Sequence, residues 1–333
     1  MPTSGHWSDD AALRAALALG LELPVGPEAQ RLTAFLARAF GPATVALLHY
    51  GSRAQRSDTG EGSAWDFFVI VDDYRAAYRT LAAALPHPLP VGRAALLNRI
   101  LPPNVISVVL PEPGSKRTAK CCVLSVRDLD RACSPRPADH FVRARLFQQI
   151  HLPWARDEAG RERVAAAVMA ARWGSYDWSR PFLPARFDAR AYLRTLLEVS
   201  YAAEIRPEDE GHLDVLLAAQ AGTLVPMADT LLAHFASRGR LERMGDVYRD
   251  PWPPGGVARW LARVWFGWSK ARATLRWGKY VALYDDWLDY VVRKVERRSG
   301  VALELTERER RWPLVFLWPK AFRYIARRRE RHP

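Results

Sequence analysis

The sequence predicts an α+β protein in three parts: a mixed sheet with flanking helices over residues 1–130, a mainly helical segment over 131–250, and a basic amphipathic helical region over 251–333. Three observations predict this. Short apolar runs alternate with stretches of helical spacing as far as about residue 127. From Arg127 the spacing turns helical. The Pro/Gly break YRDPWPPGG then precedes a tail of different charge and tryptophan content. With 333 residues, 49% hydrophobic and 26% charged, the chain can bury a large core and is globular.

The elements follow in order. SDDAALRAALALG reads as a capped helix ending at Gly20, and PEAQRLTAFLARAFG as a second, with Pro27 in its first turn and Gly41 at its stop. ATVALLHY is a nearly continuous apolar run, hence a buried strand. GSRAQ and the polar loop RSDTGEGSA lead into WDFFVIV, a second buried strand. YRAAYRTLAAAL and RAALLNRI read as helices, and VISVVL and KCCVLSV as strands around the turn PEPGSKRT. Beyond these, DHFVRARLFQQI, ERVAAAVMAARWG, ARAYLRTLLEVSYAAEI and HLDVLLAAQAGTLVPMADTLLAHFA all carry helical spacing.

Net charge is +13, which suits an anionic partner such as a nucleic acid, an anionic membrane or a phosphate-bearing substrate. The charge is uneven. Residues 251–333 hold 19 Lys+Arg against 8 Asp+Glu, a net of +11, and 8 of the 13 tryptophans. Basic residues mixed with Trp point to a membrane interface; the alternative is a basic surface over a helical core. Cys121, Cys122 and Cys133 show no bridge or metal spacing, which fits a reducing compartment. The first twenty residues have no basic stretch ahead of their apolar one, and no apolar run approaches 18 residues, so no spanning helix is expected.

The chemistry concentrates between His49 and Asp73. Polymerase-β-like nucleotidyltransferases place Gly-Gly or Gly-Ser after a strand, then Asp-x-Asp/Glu on the next strand. Glycine lets a triphosphate approach the backbone, and the following helical turn presents free N–H groups. Carboxylates two residues apart share a strand face and clamp Mg²⁺. Here Gly51 and Ser52 follow the first strand, and thirteen residues separate Ser52 from Asp66, which opens an apolar strand. The position two beyond Asp66 is Phe68. The alternative is that Gly51 marks a plain turn and Asp66 only closes a strand end.

The segment YGS…DFFVIVDD resembles the mitochondrial-type CDP-diacylglycerol synthases, phosphatidate cytidylyltransferases of the translocator-maintenance family. Their signature reads YGSGV, a spacer, then DFIF-V-D, with an apolar residue two after the Asp, as Phe68 is here. AKCCVLSVRDL resembles the family's IKYGVIS-DDL, keeping Lys120. HFVRARLFQQIHLP is similar to LYLAGRLHKPV, keeping Arg145. LLEVSYAAEIRPE is similar to LSYTGDFR, keeping Ser200, Tyr201 and Arg206, with Glu204 at the family's Asp. The four matches fall in order over about residues 46–210. The departures are Arg53 for Gly, Cys121-Cys122 for Tyr-Gly, and Phe147-Gln148 for His-Lys.

The resemblance implies a nucleotidyltransferase fold, Mg²⁺ as cofactor, and CTP and phosphatidate, or a related anionic lipid, as substrates. Asp66, Lys120 and Glu204 become the catalytic candidates, with Asp66 and Glu204 as metal ligands. Tyr50, Gly51, Ser52, Arg145, Ser200, Tyr201 and Arg206 become binding candidates. Each has a plainer alternative: Glu204 paired with Arg206 at the surface, Lys120 in a solvated loop, Arg145 in a helix-packing ion pair, Arg53 and Arg56 at the surface. Asp72 shares the parity of Asp66 but lies roughly 20 Å along the strand. His49 reads as a satisfied core residue. The tail is expected at an anionic membrane surface, with the protein cytoplasmic and peripheral on the inner face; a nucleic-acid partner is not expected. The competing readings are transfer to another acceptor (another phospholipid, a protein or RNA), and a non-catalytic nucleotide- or membrane-binding module.

Overall fold

A computed structural model describes residues 7–55, 64–86, 88–110, 117–202, 210–283 and 306–308. The chain divides into two compact units, Met1–Trp277 and Gly278–Pro333. The first is an α+β assembly built on a five-stranded mixed sheet. Its strands are β1 (Thr44–Tyr50), β2 (Trp65–Val71), β3 (Asn104–Val109), β4 (Thr118–Ser125) and β5 (His151–Ala155), in the spatial order β3-β4-β2-β1-β5. β2 and β4 run parallel; every other pairing is antiparallel.

Local chemistry fixes the flanking helices. In α1 (Ala11–Ala18) the Asp10 carboxylate accepts the Leu13 N–H at 3.0 Å, and α2 (Pro27–Phe40) begins at Pro27 and stops at Gly41, whose φ is +70°. α3 (Ser52–Gln55) is a single turn after β1. α4 (Tyr74–Ala84) is capped by Asp73, α6 (Val126–Cys133) by Ser125 and α8 (Glu158–Trp173) by Asp157; α5 (Val91–Ile100) packs on β3. One sheet face carries Leu48, Tyr50, Phe68, Ile70, Cys122 and Leu124, and α6, α7 (Arg143–Leu146) and α8 close over it.

A second apolar core forms among α1, α9 (Ser175–Ser179), α10 (Ala189–Ala202), α11 (Glu210–Ser237) and the first part of α12 (Gly256–Leu283). Here the structure corrects three expectations. DHFVRARLFQQI is not one helix: only the turn α7 is helical, and Phe147 and Ile150 turn into the two cores. The next five residues form β5, so the sheet takes its edge strand from the segment expected to be purely helical. A hairpin, β6 (Glu242–Met244) and β7 (Val247–Arg249), precedes the Pro/Gly break, with Gly245 at φ +67° in its turn. The expectation that no helix has the length and apolarity to span a bilayer also needs amending. Within α11, Leu213–Ser237 passes that test, with a mean hydropathy of 1.4. Its Leu224, Met227, Leu231, Leu232 and Phe235 are buried against neighbouring helices, as in the core helix of a soluble fold.

Candidate functional site

Asp66 and the Gly51-Ser52 turn meet at one end of the sheet. β1 and β2 are antiparallel with Tyr50 opposite Asp66, so the last residue of one strand faces the opening of the next. Gly51 then turns the chain at φ +81° into α3, where the Ala54 and Gln55 N–H groups donate to its carbonyl. A Cβ on Gly51 would stand 2.5 Å from Asp66 Oδ2 and 3.1 Å from its Cγ. Glycine is therefore required twice, once for the left-handed backbone and once to make room for the carboxylate. Asp66 is the one residue of β2 that is half-buried rather than buried.

β2 and β4 run parallel with Asp66 opposite Lys120, so Tyr50, Asp66 and Lys120 form a row across three adjacent strands. Their side chains share one sheet face, and a cation stands one strand, about 4.8 Å, from the carboxylate's strand. Behind this row Phe68 is fully buried, its ring 4.5 Å from that of Tyr50 and stacked on it. A carboxylate at position 68 would sit inside the core without water, at a large desolvation cost. The absence of the second strand carboxylate is thus part of how this sheet packs.

Tyr50 turns its hydroxyl inward to Cys122 Sγ at 3.1 Å. Burial pushes the Tyr50 hydroxyl well above its usual range; the nearby Cys122 and Asp66 add to this, and Arg145 opposes it. The Cys122 thiol is likewise raised by burial, with Arg145 and Arg276 pulling the other way. Asp66, Arg145 and Arg276 therefore act electrostatically on the same buried pair. Arg145 stacks on Phe141, its Cζ 3.8 Å from the ring centre, and donates to the Phe141 carbonyl at 2.7 Å. Arg276 of α12 covers the same ring at 4.6 Å.

Sequence reasoning missed Arg276. It is buried, bonds Asp139 at 2.6 Å and the Pro102 carbonyl at 2.7 Å, and sets a fixed cation near enough to Cys122 to oppose the rise of its thiol. Its one sequence signal is the basic run of α12, which does not distinguish it from exposed arginines. The other candidates fall as follows. Ser200 is buried in α10 and spends its hydroxyl on the Leu196 carbonyl at 2.6 Å. Tyr201 is half-buried at the end of the same helix, packed on the second core, and α10 touches α7. Arg53 stacks over Trp65 at 4.7 Å. Glu204, Arg206 and Arg56 lie outside the described residues.

His49 is buried as expected but not satisfied. Neither ring nitrogen has a hydrogen-bond partner among the described residues, and its ring lies 6.0 Å from that of His151. Burial, His151 and Arg53 in that order hold its pKa down to about 3, so it is a neutral wall of the core. Among the described residues no group of three or more His, Cys, Asp or Glu could hold a metal. Asp66 supplies one hard oxygen donor beside a glycine turn. That suits Mg²⁺ arriving on a triphosphate, since this ion uses one or two carboxylates together with phosphate oxygens and water. Set against known proteins, the chain matches no family model and no curated sequence.

Proposed function

We propose that the chain is a nucleotidyltransferase-fold, Mg²⁺-dependent phosphatidate cytidylyltransferase working at a membrane surface. One observation carries the reading: the Gly51 Cα packs directly on the Asp66 carboxylate, with Lys120 next in register. A triphosphate laid along the Gly51-Ser52 turn would thus meet a bare backbone, a carboxylate and an amine together. Asp66 would hold Mg²⁺, which when bound neutralises triphosphate charge. Lys120 and Arg145 would neutralise the remaining phosphate oxygens, with Glu204 as the second carboxylate.

In the reaction, a phosphate oxygen of phosphatidate forms a bond to the α-phosphorus of CTP. The bond from that phosphorus to the β-phosphate oxygen breaks, and pyrophosphate leaves with the electron pair. The residues contribute placement and charge compensation, and no proton need move. A second reading, transfer to another acceptor, is favoured by the wall behind α3. There Phe147 and Gln148 are buried where the resembled family has His-Lys, and Gln148 bonds Gln55 at 3.1 Å.

The membrane part of the proposal rests on α12. Gly256–Leu283 contains no Asp or Glu and carries Arg259, Arg263, Lys270, Arg272, Arg276 and Lys279. Val257, Trp260, Leu261, Val264, Trp268 and Leu275 recur at helical spacing, and each is more than half exposed. An apolar stripe with basic flanks suits the boundary of an anionic bilayer, on the cytoplasmic, inner face in this reading. Replacing Trp260 and Trp268 together by Ser is expected to lower flotation with phosphatidate-containing vesicles by about tenfold or more, without loss of the folded sheet. Unchanged flotation would remove α12 from the membrane contact. The chemical part is tested by product: CDP-diacylglycerol and pyrophosphate in equal amounts from CTP and phosphatidate.

A further inference from the structure

Two residues before Arg145, on the same turn, Arg143 points into a different environment. It is only 8% exposed, and its guanidinium carbon lies 5.4 Å from the Trp178 ring centre and 5.0 Å from that of Trp265. Residues two apart on a helix face nearly opposite ways. Arg145 thus serves the Asp66 side of α7, and Arg143 the far side.

The chain shows how its other buried arginines are satisfied. Arg172 donates to the carbonyls of Leu17, Leu19 and Gln148 at 2.7, 2.7 and 3.0 Å. Arg276 is paired with Asp139. Arg143 has neither kind of support: its side chain makes no ion pair or hydrogen bond with any described residue, and its Nε, like Arg172 Nε and Arg276 Nη1, is buried without a partner among them. The indole N–H of Trp178 beside it is buried and has no hydrogen-bond partner among the described residues. Both residues line a cleft of about 420 Å³, with Trp265, Phe266 and Pro181 as apolar walls and Arg136 also on its lining. The cleft's one carboxylate, Asp177, is already engaged by Arg240.

A buried cation without a close anion is costly; Asp139 and Asp177 act on Arg143 only from beyond ion-pair distance, and no described residue pairs with it. Burial, the largest influence, lowers the Arg143 pKa to about 10, which still leaves the guanidinium charged at neutral pH. The cleft thus offers a planar fork of donors set between two indoles, a geometry that matches a phosphate. Its walls match an apolar body attached to that phosphate. Trp265 and Phe266 belong to α12, whose outer stripe bears Trp260, Val264 and Trp268.

We propose that the Arg143 cleft is a second phosphate-ester site, distinct from the Asp66 site, and that it takes the headgroup phosphate of an anionic lipid. The site itself does not depend on the cytidylyltransferase reading; only the membrane as the source of its ligand rests on that reading.

The test is calorimetric titration of the full chain with dihexanoyl phosphatidate below its micelle concentration, with glycerol 3-phosphate and with inorganic phosphate. Wild type and Asp66→Asn are expected to bind the lipid at the Arg143 cleft alike. Arg143→Met is expected to weaken that binding at least about tenfold, while its melting temperature stays level or rises, because an unpaired buried charge has been removed. Arg143→Lys, which keeps the charge and loses the fork, serves as the second variant and is expected to lose several-fold. Glycerol 3-phosphate binding as tightly as the lipid would keep the phosphate site and assign it to a soluble ester. Wild-type affinity in both Arg143 variants, or no binding of any of the three probes by the wild type, would overturn the proposal. A falling melting temperature with unaltered binding would make Arg143 a purely structural staple. Failure of the cytidylyltransferase reading would show separately, as absence of product with this binding intact.

Discussion

Asp66→Asn is expected to lower CDP-diacylglycerol formation by about 10²–10³-fold or more, while CTP binding weakens far less. The substitution keeps the size of the side chain and its place against Gly51, where a Cβ would lie 2.5 Å from Oδ2. It removes the one carboxylate charge that stands in the Tyr50–Asp66–Lys120 row. The structure should survive, because the residue is half-buried at a strand end and its neighbours across the sheet are unchanged. Steady-state rates with CTP varied at fixed phosphatidate separate the effect on kcat from that on KM. Full activity in the variant would sink the assignment of Asp66 and, with it, the proposed metal position.

Asp139→Asn is expected to destabilise the first unit by about 3–5 kcal/mol, the usual consequence of stranding a buried cation. Asp139 is 6% exposed and holds Arg276 at 2.6 Å and Arg272 at 3.0 Å. These two pairs clamp α12 to the segment that leads into α7 and Arg145. Burial alone would raise the Asp139 carboxyl, but Arg276 and then Arg272 outweigh it, and the net shift is downward. A carboxyl depressed in the folded state contributes stability that is fully present above its unfolded value, about 3.9, and is lost as pH falls through the folded one. The wild-type contribution should therefore hold from neutral pH down to about pH 4 and vanish below it. Urea unfolding of both proteins at pH 7 and pH 3 measures this: the gap should be large at pH 7 and shrink at pH 3. A gap under about 1 kcal/mol at pH 7 would mean the clamp is solvated.

Local signals made much of the fold legible. Asp10, Pro27, Gly41 and Asp73 mark helix ends by side-chain or backbone chemistry that acts within four residues, and each stands at the boundary its type implies. β1 and β2 were readable because every position but Asp66 is buried, which forces a continuous apolar run. β5 was not readable. HLPWA is five residues long, contains a proline and follows a run with helical spacing, and only its pairing with β1 makes it a strand. The hairpin β6–β7 has three residues per strand, four of the six exposed and only Tyr248 buried, too short a pattern for alternation to mark it.

The candidate site was legible where neighbours in sequence meet. Gly51, Ser52 and Asp66 are brought together by the register of two strands that are neighbours in sequence, whereas Arg276 reaches Asp139 across 137 positions, a contact no spacing rule could supply. The difference between Arg143 and Arg145 was equally hidden, since RARL does not tell which arginine faces Phe141 and which faces Trp178 and Trp265. The buried, unsatisfied nitrogens of His49 depend on what lies across the sheet at His151, which burial pattern alone does not reveal.

Cytidylyl transfer to a lipid phosphate beside Asp66, the reaction proposed above, can be followed in a single vessel. The most direct measurement supplies the purified full chain with Mg²⁺, CTP radiolabelled at the α-phosphate, phosphatidate vesicles and an equal mass of RNA in one vessel, then separates lipid from water. Label is expected in the lipid phase as CDP-diacylglycerol, with matching pyrophosphate and none of either in Asp66→Asn, if this reaction occurs. Label in the RNA, or no transfer from CTP that is demonstrably bound, would contradict it.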